Sequence, residues 1–225
     1  MAISEQIELL GKGVYQDKGI PPVITIEAIP TISELEYVSS EDFDKTMIEK
    51  ILPSAVKEKF SFYDLLEIDY HWVLRCLRII NYGPYHTTNT LFCENCGRMY
   101  GEYRVNLNSV ECRPLPQGFK NDIVIGKDEF IEYDKNVRIH LLTIREALQA
   151  EKDTAFMKSD GTINKVLART CYMIKEMGNE SNISPVDVRM KISKEFSSPD
   201  YMILKDMIND LTNYGVRAGG ITKCP

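Results

Sequence analysis

Two cysteines three positions apart, Cys93-Glu94-Asn95-Cys96, followed at once by Gly97, are the sharpest chemical feature of the sequence. Thiolates at that spacing can grip one tetrahedral metal ion if the backbone between them folds into a tight knuckle. A glycine after the second cysteine supplies the positive φ that such a turn wants, leaving backbone N–H groups pointing at sulfur. A redox pair of the thioredoxin kind would want a helix starting at the first cysteine. Gly97 and the strand-like pattern after it speak against that, and a plain reduced turn is the remaining alternative. Structural zinc is the expected occupant.

A closed structural zinc site needs four ligands. Cys224-Pro225 reads as the opening of a second knuckle of the form Cys-Pro-x-Cys-Gly, so the natural chain is expected to continue past Pro225. The alternative is a coincidental cysteine. Cys112 follows Cys96 by sixteen positions, an acceptable zinc-ribbon spacing, but has no second cysteine beside it. The expected ligands are therefore Cys93, Cys96 and Cys224, with Cys112 as fallback and His86 as a weaker reserve.

Other reactive residues read as structural. Cys76 and Cys171 fall on apolar helical faces and are expected in the core. His71, His86 and His140 share no motif. His71 groups with Glu67 and Arg75 on what reads as a solvated helix face. Asp64 and Glu67 share that face and could form an acid/base pair, but nothing nearby predicts a pocket. Gly11-Lys12-Gly13 lacks the glycine spacing and Ser/Thr of a phosphate loop, and no hydrolase, metalloprotease or dinucleotide signature occurs. The expectation is a non-enzyme with no small-molecule substrate.

The elements that must position the knuckle follow from periodicity. Residues 1–39 read as an extended N-terminal arm, in which Pro21, Pro22 and Pro30 surround the β-branched run Val23-Ile24-Thr25-Ile26, whose alternation suits either an ordered edge strand or a segment that orders on a neighbour. Residues 40–142 read as helices plus the knuckle sheet. Ser39-Ser40-Glu41-Asp42 predicts a cap for a helix ending near Pro53, and a longer amphipathic helix is expected from Ser61 to about Asn81. Tyr103, Val105 and Leu107 then alternate with polar residues, and Ile123-Val124-Ile125 and Val137 to Leu141 read as further strands around a Gly126-Lys127-Asp128 turn.

Residues 143–225 read as a helical region that returns to the zinc site. Thr143-Ile144-Arg145-Glu146 fits a capping box. Ile163, Val166, Leu167, Cys171, Ile174 and Met177 predict one helix closed by Gly178. Ser184-Pro185 and Ser198-Pro199 each predict a capped helix start, the last helix ending at Gly215. The predicted fold class is α+β: a small antiparallel sheet with a zinc knuckle, flanked by helices.

The 225 residues carry a formal net charge of −6, with 44% hydrophobic and 27% charged residues, the composition of a globular chain. A negative balance argues against a protein whose task is gripping phosphate backbones. No apolar run reaches the roughly 18 to 20 residues of a membrane helix, and the first residues predict no secretory signal. Six cysteines in that setting are expected as reduced thiols or metal ligands.

The order of features resembles the baseplate hub and hub-assembly protein family of T-even-type contractile-tailed phages. A helix bearing Trp72-Val73-Leu74-Arg75 leads through Ile79-Ile80-Asn81-Tyr82 to Cys93-x-x-Cys96-Gly97. Val105-Asn106-Leu107, the Leu115-Pro116 step, a strand hairpin, Leu142-Thr143-Ile144-Arg145-Glu146 and the closing Cys224-Pro225 follow. That family answers its central Cys-x-x-Cys-Gly with a second cysteine pair near the end, of which only Cys224 is present. The resemblance spans roughly residues 60–225. It implies a structural or assembly part of the tail, acting in the host cytoplasm during assembly and within the virion baseplate, with other baseplate and tail proteins as partners and neither nucleic acid nor membrane. The rival expectation is a cytosolic zinc ribbon that binds nucleic acid, for which Arg98, Tyr100, Tyr103, Arg104 and Arg113 would be the start of a basic aromatic face.

Overall fold

The run Val23-Ile24-Thr25-Ile26 is a true strand, and it has a partner close by. β1 (Ser4–Glu8) and β2 (Val23–Glu27) pair antiparallel with Ile7 opposite Ile24. The computed structural model describes residues 4–15, 18–88, 91–92, 96, 99–100 and 103–216 of a mixed α/β protein with small antiparallel sheets. The segment expected as a loose arm is instead part of the core. Ile7, Leu9, Leu10, Tyr15, Ile24 and Ile26 are buried with the central helices, and that apolar burial holds the hairpin down.

α1 (Thr31–Val38) and α2 (Phe43–Thr46) follow. Asp42, not Ser39 or Ser40, caps α2 by accepting from the Lys45 N–H, while Ser39 closes α1. α2 passes through one π-helical turn (Met47–Ile51) into α3 (Leu52–Ala55), so the helix ends near Pro53 as expected, with the proline inside its last turn. Proline lacks an N–H and its ring crowds the carbonyl one turn back; the widened turn ahead of it makes the room.

α4 (Glu67–Tyr82) starts six residues later than its pattern predicts. The Glu67 N–H donates to the Leu142 carbonyl and the Ile144 N–H to the Leu65 carbonyl. This cross-tie holds Leu65 and Leu66 extended, a tertiary effect invisible in local periodicity. Gly83 ends the helix at φ 77°.

β3 (Tyr85–Thr88) pairs with β6 (Tyr103–Asn106), and β4 (Leu91–Phe92) with β5 (Met99–Tyr100), all antiparallel. The register does not slip between the ladders. From Tyr85↔Asn106 to Phe92↔Met99 the pairing advances seven residues on one strand and seven on the other. β7 (Cys112–Arg113) comes next.

β8 (Ile123–Ile125) and β9 (Val137–Ile139) form the expected antiparallel pair, joined through a short 3-10 turn at Lys127–Glu129. The Thr143 capping box starts α5 (Ile144–Lys152), with hydroxyl and Glu146 carboxylate bonding reciprocally.

α6 (Lys165–Tyr172) stops before Ile174, and Ile174–Met177 is β10, which joins β9 and then β11 (Glu180–Ser181) in a sheet ordered β11-β10-β9-β8. The sequence predicts helix here because Ile174 and Met177 sit three apart. A bulge between Ile174 and Glu176 resolves this, turning both side chains inward although a regular strand would split them. Val166, assigned to the apolar stripe, is 70% exposed.

α7 (Pro185–Glu195) is capped by Ser184 as its pattern predicts. α8 (Ser198–Thr212) is capped by Ser197, one residue early, because Ser197 stands three before Asp200 and accepts its N–H. After α8 the chain does return to the middle: β12 (Gly215–Val216) pairs antiparallel with β7, Val216 opposite Cys112. Gly215 has φ 101°, and a Cβ there would lie 2.9 Å from the Ile68 side chain. Only glycine fits this crossing.

Candidate functional site

β4 ends at Phe92 and β5 begins at Met99, so Cys93-Glu94-Asn95-Cys96-Gly97-Arg98 connects two strands in one register. Cys96 is exposed in a turn. Cys93, Gly97 and Cys224 lie outside the described residues. Cys112 sits on β7, half-buried, its Sγ 3.6 Å from the Val110 carbonyl. Burial pushes its thiol up despite nearby Arg75. His86 is exposed on β3, opposite Val105. Among the described residues no three His, Cys, Asp or Glu side chains form a metal-holding group, so Cys96, Cys112 and His86 do not converge as one. The donor chemistry for zinc therefore rests on the Cys93/Cys96 pair and its strand setting. Cys76 and Cys171 are core thiols: both are buried, which pushes each to about 12.

A second cluster lines a cleft of about 370 Å³ between α4, α6, α8 and β12. Its floor is apolar (Ile68, Leu142, Met173, Ile208), and Glu67, His71 and Arg169 stand on its rim. Arg169 pairs with Glu67 and reaches Glu151 at 3.5 Å, and His71 Nε2 lies 3.6 Å from Glu67. Glu67 is thus no member of a free solvated stripe. Burial raises its carboxyl, but the neighbouring His71 and Arg169 outweigh that and hold it below the ordinary range. A carboxylate paired with Arg169 ties α4 to α6. It is ill suited to shuttle protons. Asp64, the other half of the acid/base reading, turns to Arg145 at 3.3 Å.

Two carboxylates escaped the sequence reading. Asp69 is fully buried, accepts the Gly11 N–H on both oxygens at 3.1 Å, and receives the Tyr15 hydroxyl. The same hydroxyl accepts the Leu66 N–H at 2.8 Å. A Cβ on Gly11 would lie 2.5 Å from Asp69 Oδ2, so this glycine lets the backbone close on a carboxylate of the chain itself. Asp200, also fully buried, accepts the N–H groups of Ile131, Glu132 and Tyr133. Each lies inside a helix pattern where an acidic residue reads as solvent-facing.

A third feature is apolar. α1, the π-helical turn and α4 enclose a groove of about 260 Å³ lined by Ile29, Tyr37, Val38, Met47, Leu77 and Tyr82 among others. Ile32, Leu35 and Val38 on α1 are each more than 60% exposed, and of these Val38 lines the groove. No helix among the described residues is long and apolar enough to cross a membrane. Comparison with protein-family models, curated proteins and solved structures finds no match for the chain.

Proposed function

We propose that this chain is a non-enzymatic component of a phage baseplate hub, or of its assembly, acting through contacts with other baseplate and tail proteins. The observation that carries the reading is the shared register of the β3–β6 and β4–β5 ladders, with the Cys93/Cys96 pair in the segment between β4 and β5. An antiparallel hairpin closed by a metal knuckle is a rigid projection, the kind of element that docks without reorganising. Zinc bound by Cys93 and Cys96, joined by Cys224, would supply structural cross-linking and no Lewis-acid chemistry. The motif order from Trp72 to Cys224 supports the tail-protein assignment, and the acidic composition favours protein over nucleic-acid partners.

The test is assembly in an infected host. Tagged wild-type chain should sediment with baseplate hub intermediates, and a Cys93→Ser/Cys96→Ser double variant should lose both its zinc and that association. A wild-type chain absent from every tail intermediate would overturn the reading.

A further inference from the structure

We infer that the cleft between α4, α6, α8 and β12 binds a small uncharged molecule with an apolar body and one hydroxyl. The inference goes beyond the docking role and does not depend on it. Thr170 on α6 carries it, lining the cleft while only 7% exposed. Among the described residues its hydroxyl has no hydrogen-bond partner. A helix threonine can return its hydroxyl to the carbonyl one turn back, but this one is left unspent. Nor is its oxygen sealed from solvent as the Tyr133 hydroxyl is, so the surface it keeps opens into the cleft. A polar group at such depth is costly without a partner. Here the partner must enter through the cleft.

Around that hydroxyl the floor is hydrocarbon. Ile68, Leu141, Leu142, Met173 and Ile208 line it and are all buried, while Asn209 and Thr212 stand exposed at the mouth. The volume of about 370 Å³ lies within the range of small-molecule clefts, roughly 300–1,000 Å³. The charges fix the class of ligand. Arg169 at the rim is already paired with Glu67 and with Glu151 at 3.5 Å, and His71 Nε2 leans on Glu67 at 3.6 Å. An entering anion would face Glu67 and an entering cation Arg169, with no unpaired charge to offset the loss of hydration. A neutral molecule meets no such cost. It lays its hydrocarbon on the floor and exchanges one hydrogen bond with Thr170, whose hydroxyl can both donate and accept.

The probe is p-cresol, an apolar ring with one hydroxyl. Its controls are toluene, which lacks the hydroxyl, and p-toluate, which carries a carboxylate in its place. Titrations of the full chain followed by amide NMR should show p-cresol shifting the signals of Thr170, Met173 and Ile208. It should bind about tenfold more tightly than either control, the factor that one hydrogen bond gives. Thr170→Val keeps the shape and removes the hydroxyl. It should bring p-cresol down to the affinity of toluene and leave the melting curve of the empty chain unchanged or raised, because the hydroxyl bonds nothing in the fold. Thr170→Ser should keep the preference. Equal binding of p-cresol and toluene by wild type, tighter binding of p-toluate, or a preference that survives Thr170→Val would overturn the inference. No binding of p-cresol at millimolar concentration would assign the hydroxyl to water, and shifts confined to other parts of the chain would place the site elsewhere; either overturns it. A Thr170→Val chain that fails to fold would show that the fold uses the hydroxyl and overturn it too.

Discussion

Gly11 donates its backbone N–H to both carboxylate oxygens of Asp69 across fifty-eight residues of chain. That contact, with the Tyr15 hydroxyl beside it, fastens the N-terminal hairpin to the central helix. Asp69→Ala leaves a buried N–H and hydroxyl without their acceptor and should cost about 3 kcal/mol. Gly11→Ala forces a methyl against the carboxylate and should cost about 2 kcal/mol. Urea unfolding measures both, and a loss under 0.5 kcal/mol (about the scatter of surface changes) in either would show that the tie is dispensable.

Asp69 also sets a pH dependence. Burial raises its carboxyl, more than the Tyr15 and Gly11 hydrogen bonds lower it. A raised folded value means that its contribution is fully present below the unfolded pKa and lost as pH rises through the folded one. Wild type should therefore lose stability relative to Asp69→Asn as pH rises from the acid range toward neutrality. A difference that stays flat or grows in favour of wild type contradicts the burial argument.

Glu146 carries the opposite sign. Burial pushes it up, but the hydrogen bonds from His140 and the Thr143 backbone bring it down to about 2. Its contribution is present above the unfolded value and disappears as pH falls through the folded one. Glu146→Gln should cost about 2 kcal/mol at neutral pH, and the gap between variant and wild type should close between about pH 4.5 and 2. Equal stability at pH 7 would refute this.

Gly215→Ala meets both obstacles to a side chain at once, φ 101° and the Ile68 side chain at 2.9 Å. It should destabilise by about 2 kcal/mol and speed hydrogen exchange at Val216, opposite Cys112 on β7. Unchanged protection there would mean that the β12–β7 ladder does not depend on this crossing.

Zinc content separates the two candidate third ligands. About one zinc per chain is expected without chelator. Cys224→Ser should reduce it, while Cys112→Ser, on β7 with no second cysteine beside it, should leave it unchanged. Metal lost from Cys112→Ser and kept by Cys224→Ser would reverse the assignment.

Duplex DNA should bind negligibly at physiological salt, since the chain has a net charge of −6. Micromolar binding with a steep salt slope would revive the zinc-ribbon alternative, for which Arg104 stacked 3.9 Å from the Tyr85 ring offers a starting surface.

Features read correctly from sequence act within one turn or one ladder step. The Thr143 capping box, the Ser184-Pro185 start of α7 and the strand at Ile123–Ile125 are each specified by residues two or three positions apart. The strand at Tyr103–Asn106 belongs with them, since alternation alone reveals it, whereas its partner at Tyr85–Thr88 carries no such pattern. The burial of Cys76 and Cys171 was legible for the same reason, as each lies on an apolar helical face.

Tertiary structure decided the rest. Ile174 and Met177 share a helical spacing that a bulge against β9 converts to strand. α4 begins at Glu67 because Leu65 and Leu66 are held by residues 142 to 144. The N-terminal segment became core because its few apolar side chains found a wall formed by α4, and Asp69 and Asp200 became anchors because N–H groups 58 to 69 residues away converge on them. A carboxylate on a helix looks the same in sequence whether it faces water or a distant backbone. Which one it meets depends on the packing of the whole chain, and the cost of burying it unpaired is what makes the anchor specific.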